Sequence, residues 1–401
     1  MSAVIPDAIR PLKTPPCTGS TLTPDFEIFS SYAANVLDAK AFDASSEKES
    51  GHLFRVSLET TQAHLNWTEG ATNSQGLRFH VTPGFLEIYT PNALADRLEN
   101  VFIIGMHSAL FVAITEFTMF CFAQSGFFAD VGDPAKETSP TPVNDKPPGL
   151  WLIDFTSDGG HVTDDHSAQL IPRCPERYEI SIYLALLMAR FVWMHELSHC
   201  FNGHVGLIHD RGIALRLNEV QDRASLVSFA KSKEDKVETA RTLHALELDA
   251  DRSALWSSMR IQTGKLENIE GIAALDQQLR QRMTLFGCYA MTWLFEEFQN
   301  YMRSKGEGSH PLPYLRLHGL MQTATKNLPA HVDAFAKLEE EVCGEFDFIR
   351  RAVPGFYASE SVLKDRERAD IKGQLEGLAG HFDTMLPVLA GLEFSHKRHG
   401  L

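Results

Sequence analysis

The chain has no Cys-x-x-Cys pair. Its six cysteines, Cys17, Cys121, Cys174, Cys200, Cys288 and Cys343, are widely and irregularly spaced. That excludes a zinc ribbon and a dithiol redox motif, and it favours a reducing compartment. Positive charge is also scarce. Against 52 Asp and Glu stand 37 Lys and Arg, a net charge of −15. An acidic total argues against nucleic acid as a general partner, although a local basic cleft stays open. The first residues, Met1-Ser2-Ala3-Val4-Ile5-Pro6-Asp7, lack both the basic start and the apolar core of a signal peptide. The expected location is cytoplasmic. Internal repeats and coiled-coil heptads are absent too.

An uninterrupted membrane span is also missing. Val101 to Phe128 is apolar and long enough to cross a bilayer, but His107, Ser108, Thr115 and Glu116 interrupt it and no Lys or Arg cluster flanks it. A buried core helix is expected there. The run 180–194 is too short for a span and is broken by Arg190.

What remains has an ordinary globular composition, 44% hydrophobic and 22% charged over 401 residues. That is enough for one large core or two smaller ones. Into it is set His195-Glu196-Leu197-Ser198-His199, an H-E-x-x-H motif at the end of an apolar segment, Ile180 to Met194. Residues four apart share a helix face, so both imidazoles can meet one zinc ion with Glu196 beside them as base. The segment with Ile182, Leu186, Ala189, Arg190 and Trp193 reads as a core helix.

A catalytic zinc needs a third protein ligand and an open fourth position. Glu247 is the best candidate. It stands in Leu246-Glu247-Leu248-Asp249-Ala250-Asp251, where Leu243, Leu246, Ala250 and Ala254 recur at helical spacing. Asp251, four residues on, shares its face and can accept the free N–H of a ligating histidine. His204 follows His199 by five residues, not the six of metzincins, and reads as structural at a helix end marked by Asn202-Gly203. His209, His244 and His318 read as surface or packing residues. Cys200, about 100° around the helix from its neighbour His199, is a poor co-ligand.

Together, His195-Glu196-x-x-His199 and Glu247-x-x-x-Asp251 resemble the gluzincin pattern of zinc metallopeptidases. Ser309-His310-Pro311-Leu312-Pro313-Tyr314-Leu315-Arg316-Leu317 is similar to a segment of the CAAX prenyl protease family and of the phage-exclusion (Lit-type) peptidases. The run His199-Cys200-Phe201-Asn202-Gly203-His204 fits the same groups. The resemblance covers about 180–320, and the regions before about 145 and after about 330 resemble nothing identified.

The resemblance implies His195, His199 and Glu247 as ligands of Zn2+, Glu196 as general base and Asp251 as orienter. It implies His310 as oxyanion donor and Arg316 as support for that segment or the substrate. A residue before proline has a restricted backbone, which suits a fixed donor at His310. The implied activity is endopeptidase cleavage of a protein or peptide substrate. A zinc-stabilised binding or regulatory protein would carry the same residues. So would a membrane-embedded protease of the CAAX type, with 101–128 as its span.

The expected fold is α+β, mainly α-helical, with a zincin-like core, a small sheet and a helical C-terminal half. It divides into an extension (1–50), a hairpin plus apolar helix (51–145), a catalytic domain (146–330) and a helical end (331–401). Residues 1–25 are expected to be irregular. Strands are expected at 52–60, 76–81 and 85–89, with a turn at Thr82-Pro83-Gly84, and at 151–155, where an edge strand could align a peptide. Helices are expected at 25–41, 101–124, 176–201, 236–260, 271–303, 332–350 and 358–391, with a loop at 132–149. The oligomeric state has no signature.

Overall fold

A computed structural model describes residues 26–44, 49–141, 148–149, 170–210, 217–218, 233–263, 267, 269, 275–302, 315–316, 319–320, 332–353 and 365–395. The fold is α+β and mainly helical. Helices α1 (Phe26–Leu37), α2 (Glu49–Glu59), α3 (Gln62–Thr68) and α4 (Ser108–Phe122) accompany the sheet. The helical body follows: α5 (Pro175–Phe201), α6 (His204–Asp210), α7 (Lys233–Thr263), α8 (Gln277–Met302), α9 (Val332–Ala352) and α10 (Asp365–Leu392).

Strands β1 (Ala41–Phe42), β2 (Val81–Leu86), β3 (Ala93–Leu98), β4 (Val101–His107) and β5 (Leu217–Asn218) form one sheet in the order β1-β2-β4-β3-β5. Strands β2 and β4 run parallel, and the other pairs are antiparallel. The sheet is covered on both faces, and the side chains alternate accordingly. Leu86, Leu94 and Ile103 pack with Phe29, Tyr32 and Ala33 of α1. Phe85, Ala95, Phe102 and Ile104 face the helical body. That second cluster is continuous from Leu53 to Phe394.

Helix α5 is its axis. At 27 residues it is about 40 Å long, and α2, α4, α7, α8, β3 and β4 all pack on it. Arg177 fixes its first turn. The buried guanidinium donates to the carbonyls of Phe122, Gln124, Phe127, Phe128 and Val131, closing the chain that leaves α4. Arg190 is buried too, paired with Glu267, which Arg280 and the Tyr183 hydroxyl also hold.

Four expectations need correction. Residues 52–59 form helix, with a turn at Thr60, not strand: Leu53, Val56, Ser57 and Thr60 make a buried face at spacings of three and four, and Trp193 Nε1 donates to Ser57 Oγ at 3.2 Å. Thr82-Pro83-Gly84 is not a turn but the middle of β2. Because β1 pairs only with Phe85 and Leu86, Pro83 lies on an edge stretch of β2, where a sheet tolerates proline. A Cβ on Gly84 would lie 2.6 Å from the Phe29 ring, so that glycine serves close packing of α1. The hairpin is instead between β3 and β4, where Leu98 faces Val101 and Glu99 takes φ +54°.

The third correction concerns 101–124, which is a strand followed by a helix, joined at His107–Ser108. β4 is almost wholly buried, and the one partly exposed stripe of α4, Ser108, Val112, Thr115 and Met119, is itself half apolar, so apolar periodicity does not mark the change. The candidate span at 101–128 is therefore not one helix. The fourth concerns 180–194. It belongs to α5, which by length and composition could cross a membrane, although its apolar window is wholly buried within the protein. The expected strand at 151–155 lies outside the described residues.

Candidate metal centre

The motif lies on the last two turns of α5, and the Glu247 face of α7 packs against it. Leu243, Leu246, Ala250 and Ala254 are all buried, as their spacing predicts. This docking brings His195, His199 and Glu247 together, with one donor atom from each within 4.8 Å of the others. His195 Nε2 is 2.9 Å from His199 Nε2 and 3.2 Å from a Glu247 oxygen, and His199 Nε2 is 3.6 Å from the other oxygen. The three are 1%, 1% and 4% exposed, and Glu196 is 1% exposed.

Asp251 stands where its spacing puts it, with Oδ1 3.0 Å from His195 Nδ1. Burial pushes the Asp251 carboxyl up, but the Arg316 charge and hydrogen bonds, with those of His195, outweigh it and hold it below the ordinary range. Arg316 Nε and Nη2 donate to the two Asp251 oxygens at 2.7 Å each. Arg316 thus grips the orienting carboxylate. An ionised carboxylate only accepts, so Asp251 favours a proton on His195 Nδ1 and leaves Nε2 to face His199.

Burial pushes His199 down to about 4, against the pull of Glu247, so the imidazole is neutral at neutral pH. Two imidazoles and a carboxylate converging in a buried pocket suit a divalent cation. His₂Glu is a donor set of zinc sites that keep one position open. Among the described residues, Cys200 is not part of this group. Burial, with Glu196 and then Asp96 nearby, raises its thiol well above the ordinary value.

His204, expected to be structural at a helix end, stands outside the ligand group but touches it, a contact its spacing did not indicate. It opens α6 after Gly203 (φ +82°), is fully buried, and puts Nδ1 3.1 Å from His199 Nδ1. Its Nε2 is 3.2 Å from Asp249 Oδ2. Asn202 Nδ2 donates to the same oxygen at 2.8 Å and to Ser253 Oγ at 3.0 Å. Burial raises the Asp249 carboxyl, but His204 and Asn202 more than offset this and hold it low. The signal available in the sequence was an acidic residue inside the ligand helix and a histidine one turn past the motif. His310 lies outside the described residues. Comparisons of the chain with protein-family models, with curated proteins and with solved structures find no match.

Proposed function

We propose that this chain is a zinc-dependent endopeptidase of gluzincin type with a zincin-like core, acting on a protein or peptide substrate in the cytoplasm. The observation that carries it is the convergence of His195, His199 and Glu247 with Asp251 behind the first histidine. The sheet strand β3 beside α5, and the thiols Cys121, Cys174, Cys200, Cys288 and Cys343, none of them in a disulfide among the described residues, are in keeping with that reading.

Held by His195, His199 and Glu247, a zinc ion would polarise the scissile carbonyl and bring the pKa of its water toward ~7. Glu196 accepts the proton of the attacking water as the new C–O bond forms. It returns that proton to the amide nitrogen as the C–N bond breaks, giving acid and amine. Asp251, anchored by Arg316, keeps the His195 proton on Nδ1. By the resemblance, His310 donates to the oxyanion.

Glu196→Gln tests this. Its amide cannot accept the proton, so zinc stays and turnover on a proteome-derived peptide library falls about 10²–10⁴-fold. Undiminished, chelator-sensitive turnover in the variant would remove the base from the proposal. A second reading, a zinc-stabilised binding or regulatory protein without turnover, is favoured by the burial of the ligands and of Glu196. It predicts no chelator-sensitive cleavage in the wild type, and a lower Tm once zinc is withdrawn.

A further inference from the structure

A neutral imidazole holds one proton, on Nδ1 or on Nε2. If the His199 proton lay on Nε2, it would point at His195 Nε2, 2.9 Å away, and His199 would be lost as a ligand. For His195 the choice is made directly by the Asp251 carboxylate. The group at His199 Nδ1 is a second imidazole, His204 Nδ1 at 3.1 Å, which can either donate or accept.

Asp249 decides which. Its carboxylate only accepts, and at 3.2 Å from His204 Nε2 it favours the tautomer of His204 with the proton on that nitrogen. In that tautomer His204 Nδ1 offers a lone pair, His199 Nδ1 can donate to it at 3.1 Å, and His199 Nε2 is left to face His195 and Glu247. Asn202 keeps Asp249 in line at 2.8 Å.

We propose that His204, aligned by Asp249, is a positioning residue that fixes the metal-ligating tautomer and ring orientation of His199. This rests on the metal-centre reading above and adds to it an imidazole relay for the second ligand, in place of a direct carboxylate contact.

The test uses the purified full chain. Zinc dissociation constants are measured by competition with a chromophoric chelator, and cobalt(II) d–d absorption reports the coordination geometry. His204→Phe keeps an aromatic ring but removes the acceptor, and zinc binding should weaken about 10- to 100-fold with an altered cobalt spectrum. His204→Gln can accept from His199 and donate to Asp249, so it should retain most of the affinity. Asp249→Ala should weaken binding in the same direction but less, and it decides the matter if circular dichroism shows His204→Phe to be unfolded.

Wild-type affinity in folded His204→Phe, or in Asp249→Ala, would overturn the proposal. So would equal losses in His204→Phe and His204→Gln, because shape rather than hydrogen bonding would then set the affinity. Wild-type protein that is folded and takes up no zinc overturns the metal-centre reading and this inference with it. Tight zinc in the wild type with indifferent His204 variants overturns this inference alone.

Discussion

The two histidines of the motif are braced in different ways. Behind His195 stand Asp251 and Arg316, each 1% exposed, in a dry pair joined by two hydrogen bonds of 2.7 Å. Behind His199 stand His204 and then Asp249, whose side chain is 24% exposed and is held by Asn202. Both arms end in a carboxylate of α7, two residues apart, with Glu247 as the ligand on the same stretch. One acidic segment thus supplies a donor and two braces. The direct arm relies on a fully desolvated ion pair, whereas the relay relies on hydrogen-bond direction. Losses in the first should fall on stability as well as on metal, and losses in the second mainly on metal.

The largest effect should come from Arg316→Met. It leaves Asp251 as a buried carboxylate without its cation, a change that costs about 3–5 kcal/mol. Denaturant unfolding of zinc-free protein measures it. The pH dependence sharpens the test. The folded-state pKa of Asp251 is depressed below the ordinary 3.8, so its contribution is present above about pH 4 and is lost as pH falls through the depressed value. The gap between wild type and Arg316→Met should therefore be full at neutral pH and should narrow in strong acid. A loss no larger than that of Asp249→Ala would break the distinction between the arms.

The same contrast separates what could be read from the sequence. The pairs His195–His199 and Glu247–Asp251 are each four apart on one helix, so their shared faces follow from helical period alone. Asp249 lies two residues from Glu247, about 200° around the helix, and spacing gives it no role. It gains one because Gly203 ends α5 and lets His204 reach it from α6. Arg316 meets Asp251 across 65 residues, a contact that no local pattern encodes. The helices of the C-terminal half were legible for the same local reason as the motif. The sheet was not, because β2 and β4 pair in parallel although β3 lies between them in sequence, and because the change from β4 to α4 falls in a stretch whose partly exposed positions include Val112 and Met119 as well as polar residues.

Acid adds a background that both arms share. His107 is 7% exposed at the junction of β4 and α4, with Nδ1 2.7 Å from the Thr90 carbonyl oxygen. Burial lowers its pKa to about 4, against the pull of that carbonyl. The unfolded chain binds this proton near pH 6.5 and the folded one only near 4, so stability falls as pH drops through that window, by at most ~3 kcal/mol. His107→Gln can keep the bond to Thr90 and cannot titrate. Its denaturant midpoint should change less than that of the wild type between pH 6.5 and 4. An unchanged slope would assign the acid loss to other groups, and the variant would still serve as the background in which the arms are compared.

The smallest effect on stability should come from the hinge of the relay. Gly203 takes φ +82°, and a Cβ there would lie 2.8 Å from the backbone of Leu392 and Glu393, where the chain leaving α10 crosses the end of α5. That crossing is held by Phe394 N, which donates to Phe201 O at 2.9 Å, and by the Thr72–Ser395 bridge. Gly203→Ala must strain the backbone or push the C-terminal segment outward, at about 1–3 kcal/mol. Moving the start of α6 moves His204 relative to His199 directly, whereas α7, which carries Asp251, is reached only through its packing on α10. Zinc affinity should thus fall more than the stability change alone would suggest. If stability drops while zinc binding holds, the relay tolerates displacement, and the second histidine is positioned by α5 itself.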